Sequence, residues 1–242
     1  MALFLQPFVV VRTAAVIALA LALGTSAANA EPPHSRVFGA GRPLVYVVLG
    51  DSTAAGVGGH YERGIAVSTA QELGRSFRVE MFNLSVSGAR IGDLRRQQLP
   101  VAMTLRPDIV LISAAANDVT HLTPLRAMRE DFIALIDGLR TANPNVRIVM
   151  TGSPDMGSPP RIPRLLRGWS ARRTTIVNRM LREEAAKRGV FVSRIAEETG
   201  PQFRRDRSLF ADDDFHPNDR GYATWMPVLN ATLREAVAFG AR

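Results

Sequence analysis

Ser52 ends the run Val47-Val48-Leu49-Gly50-Asp51-Ser52, and the group Asp213-Asp214-Phe215-His216-Pro217 stands near the other end of the chain. A serine hydroxyl is a weak nucleophile until a base takes its proton, so Ser52 has chemistry only with a histidine beside it. The chain offers four: His34, His60, His121 and His216. His34 lies in a Pro- and Gly-rich stretch, His60 in a glycine-rich loop that suits a solvated side chain, and His121 just before a helix cap, where a structural role is expected. His216 has an acid three residues away, at Asp213, so one compact loop can supply a base together with the group that orients it. Such an acid fixes the imidazole tautomer and stabilises the imidazolium formed during attack. Three consecutive acids, Asp212 to Asp214, equally suit a solvated turn or an Asx cap of the helix that follows.

The glycines after Ser52 raise a second chemistry, phosphate binding, which fails on detail. A P-loop needs Gly-x4-Gly-Lys-Ser/Thr, and the only lysine of the chain is Lys187. A dinucleotide fingerprint starting at Gly56-x-Gly58 requires glycine where Tyr61 stands. The Gly-x-Ser-x-Gly elbow of α/β-hydrolases is missed too, because Ala54 occupies its last position. Gly-Asp-Ser alone also makes an ordinary turn.

The elements that must carry these residues alternate. Short apolar runs at 44–49, 79–83, 108–113, 146–151 and 190–192 read as buried parallel strands. Helices are expected over 67–75, 91–98 and 170–188, the last with Ile176, Val177, Met180 and Leu181 inward. Another starts at Thr123-Pro124, with Thr as cap and Pro at the first position, and runs along Leu125, Met128, Phe132, Leu135 and Leu139 to Asn143-Pro144. A last helix holds Trp225, Leu229 and Leu233, with Pro227 suggesting a late start or a kink. The pattern predicts an α/β fold: one three-layer α/β/α sandwich around a mostly parallel five-stranded sheet. In such sheets ligands sit beyond the C-terminal ends of the strands, where Ser52 falls. A helix N-terminus is expected to follow at once and to aim backbone N–H groups at its hydroxyl.

Four motifs now stand in order: Gly50-Asp51-Ser52, Asn83-Leu84-Ser85-Val86-Ser87-Gly88, Asn117-Asp118 and Asp213-x-x-His216-Pro217. In this order and spacing the chain resembles the SGNH (GDSL) hydrolases, from Leu44 to the last helix. The resemblance implies a flavodoxin-like fold, Ser52 as nucleophile, His216 as base and Asp213 as its orienter. It also implies an oxyanion hole from the backbone N–H groups of Ser52 and Gly88 and the Asn117 amide, with no metal or organic cofactor. The residue types agree, since glycine lets a substrate oxygen approach the backbone and an amide donates without a charge. Asp51 and Asp118 are expected to hold their loops by hydrogen bonds. One residue departs from the pattern: Ala115 stands where the family usually has glycine. At positive φ it would be strained, and its methyl group could narrow the pocket.

What the resemblance implies is ester cleavage through an acyl-enzyme, on acyl lipids, thioesters or small esters. Removal or transfer of acetyl groups on envelope sugars is the rival within the class, and a binding protein on the same scaffold the rival outside it. The 242-residue chain is 46% apolar and 21% charged, ordinary for a globular protein, and has no cysteine. That excludes disulfides, thiolate metal sites and a cysteine nucleophile. Residues 1–30 read as an export signal: an apolar stretch from Thr13 to Leu23 follows Arg12, and Ala28-Asn29-Ala30 fits a cleavage site. Met1 to Val11 is itself apolar, so an uncleaved anchor is the alternative. Residues 31–43 read as a linker into a hydrolase domain over 44–242, in a periplasmic, envelope or secreted protein. The net charge of +8 comes from scattered arginines and points to no nucleic-acid interface. The exception is Arg161, Arg164, Arg167, Arg172 and Arg173, five arginines without an acid. With Leu165, Leu166 and Trp169 they could meet anionic headgroups or an acidic polymer, or form a solvated loop leading into a helix.

Overall fold

The computed structural model describes residues 35–239; the expected export signal lies outside them. Strand β2 (Pro43–Gly50) is buried from Tyr46 onward and serves both faces of a sheet. Its Leu44, Tyr46 and Val48 pack into one apolar layer, and Val47 and Leu49 into the other. Strands β3 (Arg78–Asn83), β4 (Ile109–Ser113), β5 (Arg147–Met150) and β6 (Phe191–Val192) run parallel to it. The first layer is covered by helices α1 (Ile65–Leu73), α7 (Ile195–Arg205) and α8 (Asp219–Phe239). The second is covered by a helical stretch over 91–105, by α5 (Leu125–Ala142) and by α6 (Arg164–Lys187). The stretch is made of α2 (Ile91–Asp93), one π-helical turn (Leu94–Gln98) and α3 (Leu99–Leu105). A five-residue helix, α4 (Ala116–Thr120), follows β4.

The strand order is β1-β3-β2-β4-β5-β6, six strands rather than five. The extra strand, β1 (Arg36–Phe38), pairs antiparallel with β3 from within the expected linker. Three residues are too few for alternation to show in a sequence. Gly39 and Gly41, at φ +68° and +103°, reverse the chain from β1 into β2. At Gly39 only glycine fits, since a Cβ would stand 2.0 Å from the Gly74 carbonyl oxygen.

Several element edges differ from expectation. Helix α7 is absent from the sequence reading because Gly200-Pro201 looks like a break, yet Ile195, Thr199 and Phe203 form its buried stripe. Helix α6 starts six residues earlier than Ser170, its opening turns having no buried face to reveal them, and Ile176 faces solvent instead of the core. At the start of α5 it is Pro124, not Thr123, that occupies the cap. Helix α8 begins well before Pro227 and runs through it.

Candidate active site

The parallel strands wind outward in both directions from the β2–β4 pair, which makes the C-terminal ends of these two strands the switch point of the sheet. Gly50 closes β2 there. A Cβ at this position would stand 2.3 Å from the Ser113 carbonyl oxygen and 2.6 Å from the Ala54 Cβ, so the approach of β2 to the end of β4 requires glycine. The buried Gln98 side chain holds both backbone groups of Gly50: its Oε1 accepts from Gly50 N and its Nε2 donates to Gly50 O, each at 2.9 Å. Past this clamp the chain makes one tight coil, with Ala55 N donating to Asp51 O and Val57 N to Ser52 O. The helix expected directly behind Ser52 is therefore replaced by turns, and α1 begins only at Ile65.

His216 is presented by a closed loop between α7 and α8. Phe210 pairs with Pro217, Ala211 N donates to His216 O, and Asn218 anchors the exit. The Asn218 Oδ1 caps α8 by accepting from Arg220 N and Gly221 N, while its Nδ2 donates to Ser208 O and Phe210 O. Within the loop Asp213 Oδ1 accepts from the N–H groups of Phe215 and His216. Its Oδ2 lies 2.5 Å from His216 Nδ1, and His216 Nε2 lies 2.8 Å from Ser52 Oγ. A carboxylate only accepts, so Nδ1 carries a ring proton, and Nε2 stands where it can take the proton of the Ser52 hydroxyl. Burial pushes the Asp213 carboxyl up, but the bonds from the His216 ring and the two N–H groups outweigh it and hold the group below its ordinary range. The structure thus brings Ser52, His216 and Asp213 into one hydrogen-bonded line across 164 residues of sequence.

Asn117 sits on α4, its Nδ2 donating to Ala89 O at 3.1 Å. An amide nitrogen has two N–H groups, so among the described residues one stays uncommitted. The turn holding Gly88 is tied back toward Ser52 by the Val86 N–H, which donates to Gly50 O. Gly88 itself is exposed at φ +85°, and a Cβ there would meet nothing within 4 Å. Among the described residues neither the Ser52 nor the Gly88 N–H is spent on a protein acceptor. Asn117 lines the cavity beside Ser52, whereas Gly88 does not.

The supporting acids hold loops. Asp51 Oδ1 accepts from Thr53 N and Oγ1, and Asp118 Oδ2 accepts from Ile91 N. Burial raises both carboxyls, Asp51 to about 6. The other two histidines of the described chain stay apart from Ser52: His60 is exposed and pairs with Asp219, and His121 lies 2.9 Å from Asn117 O through Nδ1. Ala115 does adopt positive φ, +96°, but its methyl group packs into the core and not into the cavity. Sequence reasoning missed Gln98, whose contact lies 48 residues away and leaves no local signal. It also passed over Asn218, although an Asn directly before a helix is itself a cap signal.

The cavity at Ser52 is lined in part by the loop that follows β5, through Pro154, Met156 and Pro159. Its volume is about 30 Å³, and its inner wall is Phe203, Phe210 and Trp225. A hydroxyl bonded to an imidazole that leans on a carboxylate, with free N–H donors nearby, is equipped for acyl transfer.

Comparison with known proteins gives the family. Residues 48–224 match the model of the GDSL-like Lipase/Acylhydrolase family. No curated protein matches the chain in sequence. Among solved structures, TesA superposes with a TM-score of 0.66 at 17% identity, over 79% of this chain and 99% of that one. The psychrotrophic esterase EstA from Pseudoalteromonas sp. gives 0.60 at 17%, over 82% and 98%. A single-residue variant of Axe2, an acetyl xylan esterase from Geobacillus stearothermophilus, gives 0.57 at 17%, over 79% and 96%. At such identities these structures speak for the fold, and the family match, which spans most of the chain, speaks for the chemistry. The chain belongs to the GDSL-like lipase/acylhydrolase family and is a carboxylic ester hydrolase.

Proposed function

We propose that Ser52, His216 and Asp213 form the catalytic triad of an exported esterase that works through an acyl-enzyme. The observation that carries this reading is the line from Ser52 Oγ through the His216 ring to Asp213. Ser52 Oγ attacks the ester carbonyl carbon while its proton passes to His216 Nε2. The oxyanion takes hydrogen bonds from the Ser52 and Gly88 N–H groups and the free N–H of Asn117. The bond to the alcohol oxygen then breaks, and that oxygen leaves with the proton from His216. Water attacks the acyl-enzyme by the same relay, and the acid departs, so ester and water become acid and alcohol. Turnover of p-nitrophenyl esters tests this directly. Ser52→Ala should lower kcat by about 10⁶-fold, and Asn117→Ala should cost roughly 3 kcal/mol of transition-state stabilisation. Full activity in Ser52→Ala would remove the assignment. A protein that bound esters without Ser52-dependent turnover would be the non-catalytic alternative.

Export and surface attachment belong to the same reading. Residues 1–30 supply the signal, and cleavage after Ala30 in a secreting host, read by N-terminal sequencing, is the expected result. The opening turns of α6 supply the surface. Leu165 is 97% exposed, and Leu166 and Trp169 are exposed beside it. Arg164 and Arg172 are exposed and have no partner among the described residues. Arginines in a first helical turn oppose the helix dipole, so they cost stability where they stand. Basic residues around exposed Leu and Trp suit an anionic lipid surface, at ~1 kcal/mol per charge. Vesicles containing phosphatidylglycerol should sediment the protein at low salt and release it at high salt. Leu165→Ser with Arg164→Gln and Arg172→Gln should not bind; binding unchanged in that variant would rule out this surface.

A further inference from the structure

A tetrahedral carbon on Ser52 Oγ has three other substituents, and the site treats them differently. The oxyanion turns to the N–H donors. The leaving oxygen must reach His216 Nε2, then depart and be replaced by water, so it needs the open side. The acyl carbon is left with the narrow, partly enclosed cavity beside Ser52, Asn117 and His216. Beyond Ser52, Asn117 and His216, the polar side chains of its walls are already engaged with the protein. Of its polar residues, Asp155 gives one oxygen to Arg204 Nε and the other to Gly157 N. Thr199 Oγ1 donates to Ile195 O, and Ser158 Oγ to Asp155 O. The remaining surface is dominated by aromatic rings, prolines and Met156.

The cavity is also small. Its 30 Å³ is room for about two waters, at the ~10–15 Å³ that each requires. Its floor does not yield easily. Phe203 and Phe210 meet edge to face at 5.3 Å between ring centres, and Phe203 lies 5.5 Å from Trp225. All three are buried members of the core that α7 and α8 form against the sheet, so deepening the cavity means moving that core.

We propose, resting on the triad reading above, that this aromatic floor limits the acyl group to about two to four carbons: the enzyme removes short acyl groups, acetyl foremost, from a larger alcohol left in solvent. Phe203, Phe210 and Trp225 then determine specificity by length, without touching the reacting atoms.

The test is the p-nitrophenyl ester series from C2 to C12 on the intact protein, with Ser52→Ala as blank and fluorophosphonate labelling of Ser52 alongside. Wild type should peak at C2 to C4, and kcat/KM should fall about tenfold or more for the first methylenes beyond the limit. Phe203→Leu and Phe210→Leu, each checked for a cooperative melt, should move the optimum toward C6, raising the ratio of kcat/KM at C6 to that at C2. A Ser52-dependent optimum at C8 or longer in wild type would overturn the proposal while leaving the triad intact. So would a folded Phe203→Leu or Phe210→Leu whose profile superimposes on wild type. Absence of both labelling and turnover would defeat the triad reading, and this inference with it. The wild-type profile decides even if both variants fail to fold.

Discussion

At the scale of single residues, Asp51 and Ala115 show how much a site tolerates beside its reacting groups. Asp51 is buried with one oxygen, Oδ2, lacking a hydrogen-bond partner among the described residues. Burial pushes the carboxyl up to about 6, against the two bonds from Thr53 and the nearby His216 ring. A raised carboxyl pKa stabilises the fold fully below the unfolded value, and that contribution is lost as pH rises through about 6. Asp51→Asn keeps an acceptor for Thr53 and removes the charge. Its stability relative to wild type should therefore improve by up to about 3 kcal/mol between pH 4 and pH 8, measured by urea unfolding at each pH. Parallel pH profiles for the two proteins would refute the burial argument. Ala115 at φ +96° carries strain of ~1–2 kcal/mol that glycine would relieve. Glycine would also forfeit a buried methyl, ~0.8 kcal/mol, and add unfolded-state entropy of ~0.4–1 kcal/mol. The terms nearly cancel, which explains how alanine can stand there without breaking the fold.

At the scale of elements, the parallel strands were legible because a strand buried on both faces reads as an unbroken apolar run, as in Val45 to Leu49. β1 and α7 were not. One is three residues long, and the other hides a regular Ile195–Thr199–Phe203 stripe behind Gly200-Pro201. The motifs marked Ser52, Asn117, Asp213 and His216, all of which border or adjoin one cavity. What no motif marked is the support: the π-helical turn that carries Gln98 to Gly50, and the cap by which Asn218 fixes the His216 loop to α8. Such contacts depend on how two distant elements pack, so local residue patterns do not contain them. Gln98→Leu should leave Gly50 N without a partner, whereas Gly50 O keeps the Val86 N–H. One orphaned buried donor costs ~1–3 kcal/mol, and denaturant unfolding should show a loss of that size. Because the clamp holds the strand end under Ser52, kcat should fall more than KM changes. A variant with wild-type kcat would show that the clamp is structural only.

At the scale of the whole molecule, the sheet brings residues from opposite ends of the sequence to one switch point. Two more features stand out: a small, largely apolar cavity at that point and a basic, leucine-bearing helix start on the surface. The first is proposed to set what the enzyme cleaves and the second is proposed to set where it works, and each proposal can fail without the other. Both depend on Ser52 being an activated nucleophile. The most direct measurement is intact-mass analysis after brief exposure to a fluorophosphonate, for wild type, Ser52→Ala and His216→Gln. An activated Ser52 should give one covalent adduct per wild-type chain, mapped to that residue, no adduct in Ser52→Ala, and labelling of His216→Gln slowed by orders of magnitude. An unlabelled wild type, or a His216→Gln variant labelled as fast as wild type, would contradict it.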